Sequence, residues 1–253
     1  AWLRTRRFWV QILAGAPLIK MKNIKSISIM FPLYKDRKTV KKMILKSTKV
    51  IKELKIKKNE IVIVDDGCPQ GSGLYAKKIS NKKQNIKVIF HKKNLGYGAA
   101  IKTGLKNCKA DWIFQTDGDD EYDVFDLKRL IKKTENSDLI ITYRLKKKYK
   151  TSRIVISWIY NKILRILFHT KFKDISTGSR LIKKELLKKI SLMSNSPFIG
   201  AELAIKSKYK GFNVSEVGIR TYPRTFGTGS SVSLKNILLT IKEMLELFFK
   251  IKI

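Results

Sequence analysis

The sequence predicts an α/β fold, with a mostly parallel sheet flanked by helices and a C-terminal amphipathic helix. Three observations predict it. Short apolar runs alternate with segments of helical periodicity from Ser26 to Thr142. Polar and acidic residues stand immediately after four of those runs. The last stretch, Leu234 to Ile253, carries Leu, Ile, Met and Phe on one side and Lys on the other. Strand–helix alternation of this length implies a parallel sheet buried on both faces. In such sheets a ligand lies beyond the carboxyl ends of the strands.

In order, the spacing predicts a strand at Ser26 to Phe31 and a Lys-rich amphipathic helix from Lys38 to Lys55. A second strand, Glu60 to Asp65, ends in acids and runs into a turn with Gly67, Gly71 and Gly73, then a short helix from Leu74 to Ile79. The third strand is Ile86 to Phe90, followed by a helix from Gly98 to Asn107. The fourth is Asp111 to Thr116, followed by a helix from Val124 to Thr134, and the fifth is Asp138 to Thr142. After Arg144 the pattern turns mainly helical: Ile154 to Phe168, Lys183 to Ser191 and Ala201 to Lys210, with one strand at Asn213 to Ile219. No linker or repeat divides the chain, so residues 21–231 read as one domain and 232–253 as an amphipathic extension. Residues 1–20 resemble a signal peptide superficially. Because Met21, Lys22 and Asn23 read as a natural start, they are set apart as a leader or an added extension.

The composition narrows the function. At 43% hydrophobic residues, the 253-residue chain can bury a real core, which excludes wholesale disorder. Lys and Arg number 55 against 20 acids, a net charge of +35. Such a field favours nucleic acid, an acidic membrane surface or a phosphorylated substrate; spread along the chain as it is, it equally fits a solubilising surface. Cys68 and Cys108 lack metal-binding spacing and fit a reducing compartment. With only two histidines, a multi-histidine metal site is excluded. No continuous apolar run approaches the roughly 20 residues of a membrane-spanning helix.

Asp117, Asp119, Asp120, Glu121, Asp123 and Asp126 place six of the 20 acids within ten positions. Carboxylates crowded at a strand end repel one another unless a cation joins them. Hard oxygen ligands two residues apart suit Mg2+ or Mn2+ bridging to a diphosphate. Asp123 and Asp126 fit the first turn of the following helix, where the dipole favours acids. That leaves Asp117, Asp119 and Glu121 for the metal. Of Asp65 and Asp66, one is expected to face a nucleotide base or ribose, and the other equally to cap a turn. Asn94 to Gly98 makes a Gly-rich turn that admits a ligand and starts a helix.

These residues carry a resemblance. Phe31 to Asp36, Ile63 to Gly67, Asn94 to Ala99 with Gly104, and Asp117 to Asp119 stand in the order and spacing of family 2 glycosyltransferases. The second half resembles that family's polyprenyl-phosphate branch, which includes dolichyl-phosphate mannose synthases. The matching pieces are Tyr143 and Arg144, Asp174 to Arg180, Glu216 to Ile219, and Arg224 to Gly227. The resemblance spans Ser26 to Ser231 and implies a GT-A-type, Rossmann-like sheet. It further implies that Pro32, Tyr34, Asp36 and Asp65 contact the nucleoside, with Asp66 beside them. Asp117, Asp119 and Glu121 would hold the metal on the sugar-nucleotide diphosphate, and Arg144, Arg180 and Arg224 would handle phosphates of donor or acceptor. Lys35 and Asp36 replace the family's common Asn-Glu, Cys68 its Ser and Glu121 its Gln.

The expected reaction is inverting transfer from a GDP- or UDP-sugar to a polyprenyl or dolichyl phosphate. A lipid phosphate is already ionised at neutral pH and needs no general base; it needs a metal for the leaving diphosphate and cations to gather two anions. Glu202 sits where relatives acting on hydroxyl acceptors often carry their base, the alternative being a surface helix residue. An enzyme acting on a hydroxyl of a glycan or cell-surface polysaccharide is thus the competing reading. A specific nucleic-acid partner is not expected, because no recognition motif accompanies the charge. The basic amphipathic stretches at Trp158 to Phe168 and Leu238 to Phe249 fit core packing, a bilayer interface or an oligomer contact. The expected location is cytoplasmic, peripheral at a membrane's cytoplasmic face.

Overall fold

The computed structural model describes residues 4–5, 8–9, 24–81, 83–145, 151–224, 226 and 233–252. Seven strands form its main sheet: β1 (Ser26–Leu33), β2 (Lys58–Asp65), β3 (Ile86–Phe90), β4 (Trp112–Gln115), β5 (Leu139–Arg144), β6 (Arg180–Lys183) and β7 (Val214–Ile219). Their spatial order is β3-β2-β1-β4-β6-β5-β7, and β6 alone runs antiparallel to its neighbours. The helices are α1 (Val40–Glu53), α2 (Ser72–Ser80), α3 (Tyr97–Asn107), α4 (Leu127–Ile131), α5 (Thr151–Leu167), α6 (Lys184–Lys189), α7 (Ile199–Tyr209) and α8 (Leu234–Lys252). Within residues 1–20, Arg4–Thr5 pairs with Phe8–Trp9. The rest of that segment, and Gly227, Ser230 and Ser231 of the resemblance, lie outside the described residues.

The sheet separates two apolar layers, and β1 (buried along its whole length) shows why its sequence is mostly apolar. Ile27, Ile29, Phe31 and Leu33 face a core with Met43, Ile44 and Val50 of α1 and Leu127 and Leu130 of α4. Met30 faces the opposite core, with Ile101 of α3, Leu203 of α7 and Met244 and Leu247 of α8. A central strand covered on both sides has no solvent face to mark with polar residues. Pro32 within β1 costs no ladder bond. The β4 ladder ends at Met30, whose carbonyl accepts from Thr116 N–H at 2.9 Å, so Pro32 points past the end of that neighbour.

Two elements depart from the sequence reading. The helix expected over Val124 to Thr134 is a 3-10 turn, Val124–Asp126, followed by the five-residue α4. Asp123 caps that turn, accepting from Phe125 N–H at 3.3 Å. The antiparallel β6 was not foreseen: four residues with a charge at each end carry too little periodicity to read as a strand.

Candidate active site

The carboxyl ends of β1, β2, β4, β5 and β7 and the start of the antiparallel β6 share one edge of the sheet. Asp36, Asp65, Asp66, Asp117, Asp119, Arg144, Arg180 and Arg224 all follow from that edge. Gly118 allows the acid loop to approach it closely, because a Cβ there would collide with the Pro32 carbonyl. Thr39 then staples two loops, its hydroxyl serving the carbonyls of Gly118 (2.7 Å) and Asp36 (2.9 Å).

Asp117 accepts a hydrogen bond from the Tyr97 hydroxyl at 2.7 Å and packs directly on Gly178, where a side chain would strike its carboxylate. Burial, and next the charge of Asp119, push Asp117 above the usual carboxylate range. Burial also pushes the Tyr97 hydroxyl upward, so it stays protonated and donates. Asp119 accepts from Glu121 N–H at 3.0 Å and pairs with Arg224 at 3.3 Å. The same Arg224 nitrogen meets Asp36 at 3.0 Å. Arg224 arrives from 188 residues away because Tyr222 N–H bonds the Glu121 carbonyl (3.0 Å) and Tyr122 pairs with Thr221. Burial raises Asp36 despite opposing contributions from Tyr34 N–H and Arg224.

Asp120 does a different job from its neighbours. Its backbone is left-handed (φ 63°), and its carboxylate turns toward α1, meeting Lys42 at 2.5 Å and Lys46 at 2.7 Å. It anchors the loop rather than facing the cluster of Asp36, Asp119 and Arg224.

Asp65 and Asp66 are both turned inward, each only 4% exposed. Asp65 accepts from Cys68 N–H at 2.7 Å and from Gly73 N–H, closing the β2–α2 turn. Asp66 accepts from Leu95 N–H (2.9 Å) and Gly96 N–H (3.0 Å), and His91 Nδ1 lies 2.7 Å from it. Both carboxylates thus organise loops, the capping role expected of one of them. Pro32 is buried and Tyr34 half-buried beside them.

On the other flank, Arg144 grips Asp174 with two hydrogen bonds, 2.7 and 2.9 Å, and donates to Ser176 at 2.6 Å. The pair is buried, with side chains 5% and 4% exposed. Arg180 stands opposite Gln115 in the β4–β6 register, buried, donating to the Thr177 carbonyl. Burial depresses its pKa, opposed by Tyr97 and the carboxylate of Asp117.

Glu202 is neither a surface residue nor a carboxylate open to a substrate. It is 1% exposed and receives Met193 N–H (2.9 Å), Ser194 N–H (2.9 Å) and Lys206 Nζ (2.5 Å). Burial would raise its pKa, but these donors outweigh it and hold the carboxyl below its ordinary value. Removing a buried, charged hydrogen-bond partner costs about 3 kcal/mol. Glu202→Ala should therefore lower the unfolding free energy measured in urea by about that much. A collapse of turnover at unchanged stability would instead restore the base reading.

Sequence reasoning missed Tyr97, whose signal was an aromatic set between Gly96 and Gly98 at the start of a helix.

This mostly parallel sheet flanked by helices has the GT-A-type architecture, and its carboxyl edge carries the acids and arginines. Residues 28–191 match the model of glycosyl transferase family 2, and the chain belongs to that family. It is 27% identical over 216 residues to the uncharacterized protein MJ0544 of Methanocaldococcus jannaschii, covering 79% of this chain and 93% of that one. It is 26% identical over 167 residues to an undecaprenyl-phosphate mannosyltransferase of Micrococcus luteus, covering 63% of this chain and 65% of the relative. The chain thus spans just under two thirds of that mannosyltransferase's length. Among solved structures it resembles glucosyl-3-phosphoglycerate synthase from Mycobacterium tuberculosis in complex with Mn2+, UDP and glucosyl-3-phosphoglycerate. There the TM-score is 0.68 at 13% identity, with 90% of this chain and 80% of the other covered.

Proposed function

We propose that this glycosyltransferase moves a sugar, with inversion, from a GDP- or UDP-linked donor to a polyprenyl or dolichyl phosphate at a membrane surface. The observation that carries the reading is the meeting of Asp36, Asp119 and Arg224 beside Asp117 at the carboxyl edge of the sheet. Among the described residues no three His, Cys, Asp or Glu side chains converge as a metal cage. The donor set nevertheless fits Mg2+ or Mn2+, which bind through one or two carboxylates plus substrate phosphates rather than through an all-protein cage. Asp117, Asp119 and Glu121 supply hard oxygens, and Asp119 and Glu121 both raise Asp117 through like charge. A bound divalent ion would neutralise charge building on the leaving diphosphate. Asp117 and Asp119 would hold it, and Arg224 would exchange its carboxylates for donor phosphate oxygens. Pro32, Tyr34 and Asp36 would border the nucleoside, with Asp65 and Asp66 fixing the loops around it.

Two observations support a phosphate acceptor over a hydroxyl. The mannosyltransferase relative is named for undecaprenyl phosphate, and the carboxylate of Glu202 is taken up by three donors. With an acceptor already ionised, Arg144 and Arg180 have only to offset charge while the two anions approach. Thermal stabilisation by UDP- and GDP-sugars, with and without Mn2+, tests the donor half. A Mn2+-dependent shift with one nucleotide is expected. Transfer to polyprenyl phosphate but not to soluble sugars tests the acceptor half; the opposite pattern moves the enzyme to the hydroxyl class.

The membrane surface is supported by two exposed apolar bands. Leu234, Leu238, Ile241, Leu245 and Phe249 fall on one solvent-facing stripe of α8, flanked by Lys235 and Lys242. On α5, Val155, Ile156, Trp158, Ile159, Ile163 and Ile166 are likewise exposed, and Lys162 lies over the Trp158 ring at 4.9 Å. The inner face of α5 reaches the acceptor flank, where Ser157 accepts from Arg144 at 3.3 Å. No helix among the described residues is long and apolar enough to cross a membrane, so contact would be interfacial. Replacing Leu238, Ile241 and Leu245 together by Glu should cut flotation with anionic vesicles at least about tenfold, since each buried apolar side chain contributes on the order of 2 kcal/mol. Undiminished flotation would move the contact elsewhere.

A further inference from the structure

We propose that Tyr97 is a positioning residue for the donor site, holding Asp117 in the one orientation that serves a metal-bound diphosphate; this rests on the reading of Asp117 as a metal ligand. Its hydroxyl lies 2.7 Å from Asp117 Oδ1, while Gly178 closes the other side of the carboxylate. Between a fixed donor and a bare backbone, Asp117 has one seat. Ligating carboxylates are characteristically steered in this way by an outer hydrogen bond.

What distinguishes Tyr97 from an incidental neighbour is how firmly it is itself held. It opens α3, and the next residue, Gly98, donates its N–H to the Asn195 carbonyl at 2.8 Å. The loop carrying Asn195 is clamped from two sides. Glu202 of α7 takes the N–H groups of Met193 and Ser194, and Glu243 of α8 takes those of Asn195 (2.8 Å) and Ser196 (3.2 Å). Lys102 of α3 adds a bond to the Met193 carbonyl at 2.8 Å. Two buried or half-buried carboxylates thus fix a loop whose contact with the site is the first turn of α3. That gives Glu202 a function other than proton transfer. It also ties α8, whose outer stripe is apolar, to the seat of Asp117.

The test is Mn2+ titration of the full chain in the presence of UDP or GDP, read by the loss of the free-ion electron paramagnetic resonance signal. Tyr97→Phe, which removes only the hydroxyl, should weaken Mn2+ binding about tenfold or more, the usual cost of losing an outer-shell partner. Its ligand-free stability should fall by no more than the loss of one buried hydrogen bond, and its metal-free nucleotide binding should match wild type, a readout that a general packing defect would shift. Tyr97→Leu should lose affinity at least as far. Wild-type Mn2+ affinity in Tyr97→Phe overturns the inference, and does so even if Tyr97→Leu is impaired, because the ring and not the hydroxyl would then matter. Should the wild-type chain bind no Mn2+ with either nucleotide, the metal-dependent reading falls and the role of Tyr97 falls with it. The two failures are therefore told apart by the wild-type titration alone.

Discussion

Asp119→Ala is expected to abolish Mn2+-dependent donor binding and to lower turnover by roughly three orders of magnitude. A metal acting on a leaving diphosphate contributes several kcal/mol, and each 1.4 kcal/mol or so is about a factor of ten in rate. Asp119 is firmly seated. It is 8% exposed, its Oδ1 is aligned by Glu121 N–H at 3.0 Å, and its Oδ2 faces Arg224 at 3.3 Å. Asp36, still bound to Arg224 at 3.0 Å, would keep that guanidinium near the site, so the variant would lose one carboxylate of the proposed metal site while Arg224 stays held. The adjacent residue provides the control. Asp120→Ala removes the bridges to Lys42 and Lys46 and leaves alanine with a left-handed backbone, which costs about 1 kcal/mol or more. It should therefore lower stability while leaving Mn2+ affinity near wild type. Isothermal titration with Mn2+ and nucleotide separates the two neighbours. Unchanged metal-dependent affinity in Asp119→Ala would remove that residue from the site.

The contrast between those two acids shows where the sequence was readable and where it was not. The acids after β4 stood out because six charges in ten positions oppose a basic chain, and the strand before them is apolar. Yet nothing in the one-dimensional pattern separates Asp119 from Asp120; a left-handed φ and the reach of α1 decide it. The same limit applies to Asp65 and Asp66. Their place at a strand end was legible, but the backbone N–H groups that occupy them come from loops as far as 30 residues on. The burial of Glu202 was not legible because its partners, Met193 and Ser194, belong to a loop with no periodic signal of its own. β1 and β2 were legible because burial on both faces leaves long apolar runs. β6 was not, because its pairing with β4 and β5 is entirely long-range. Local sequence carries local preferences; hydrogen bonds spanning tens of residues are set by topology.

Arg144→Ala should destabilise the protein by about 3 to 5 kcal/mol, the cost of breaking a buried ion pair by removing one partner. Asp174, 4% exposed at its side chain in the intact pair, would keep Ser176 Oγ at 2.7 Å and Asn161 Nδ2 at 3.3 Å but lose the two hydrogen bonds from Arg144. That loss makes the single variant ambiguous about acceptor binding, since any drop in activity could follow from misfolding. The double variant Arg144→Met with Asp174→Leu resolves it. Replacing both members of a buried pair by apolar groups of similar volume is often neutral or better for stability, so a folded enzyme without the guanidinium should be recovered. If Arg144 steadies the acceptor phosphate, that enzyme will melt near wild type, bind donor normally and show a raised KM for polyprenyl phosphate. If transfer is also normal, Arg144 is a strut between β5 and the 174–177 turn, and acceptor charge must fall to the deeper Arg180. The second result has a physical basis already visible: an incoming phosphate would have to compete with a carboxylate that holds Arg144 through two hydrogen bonds at 2.7 and 2.9 Å.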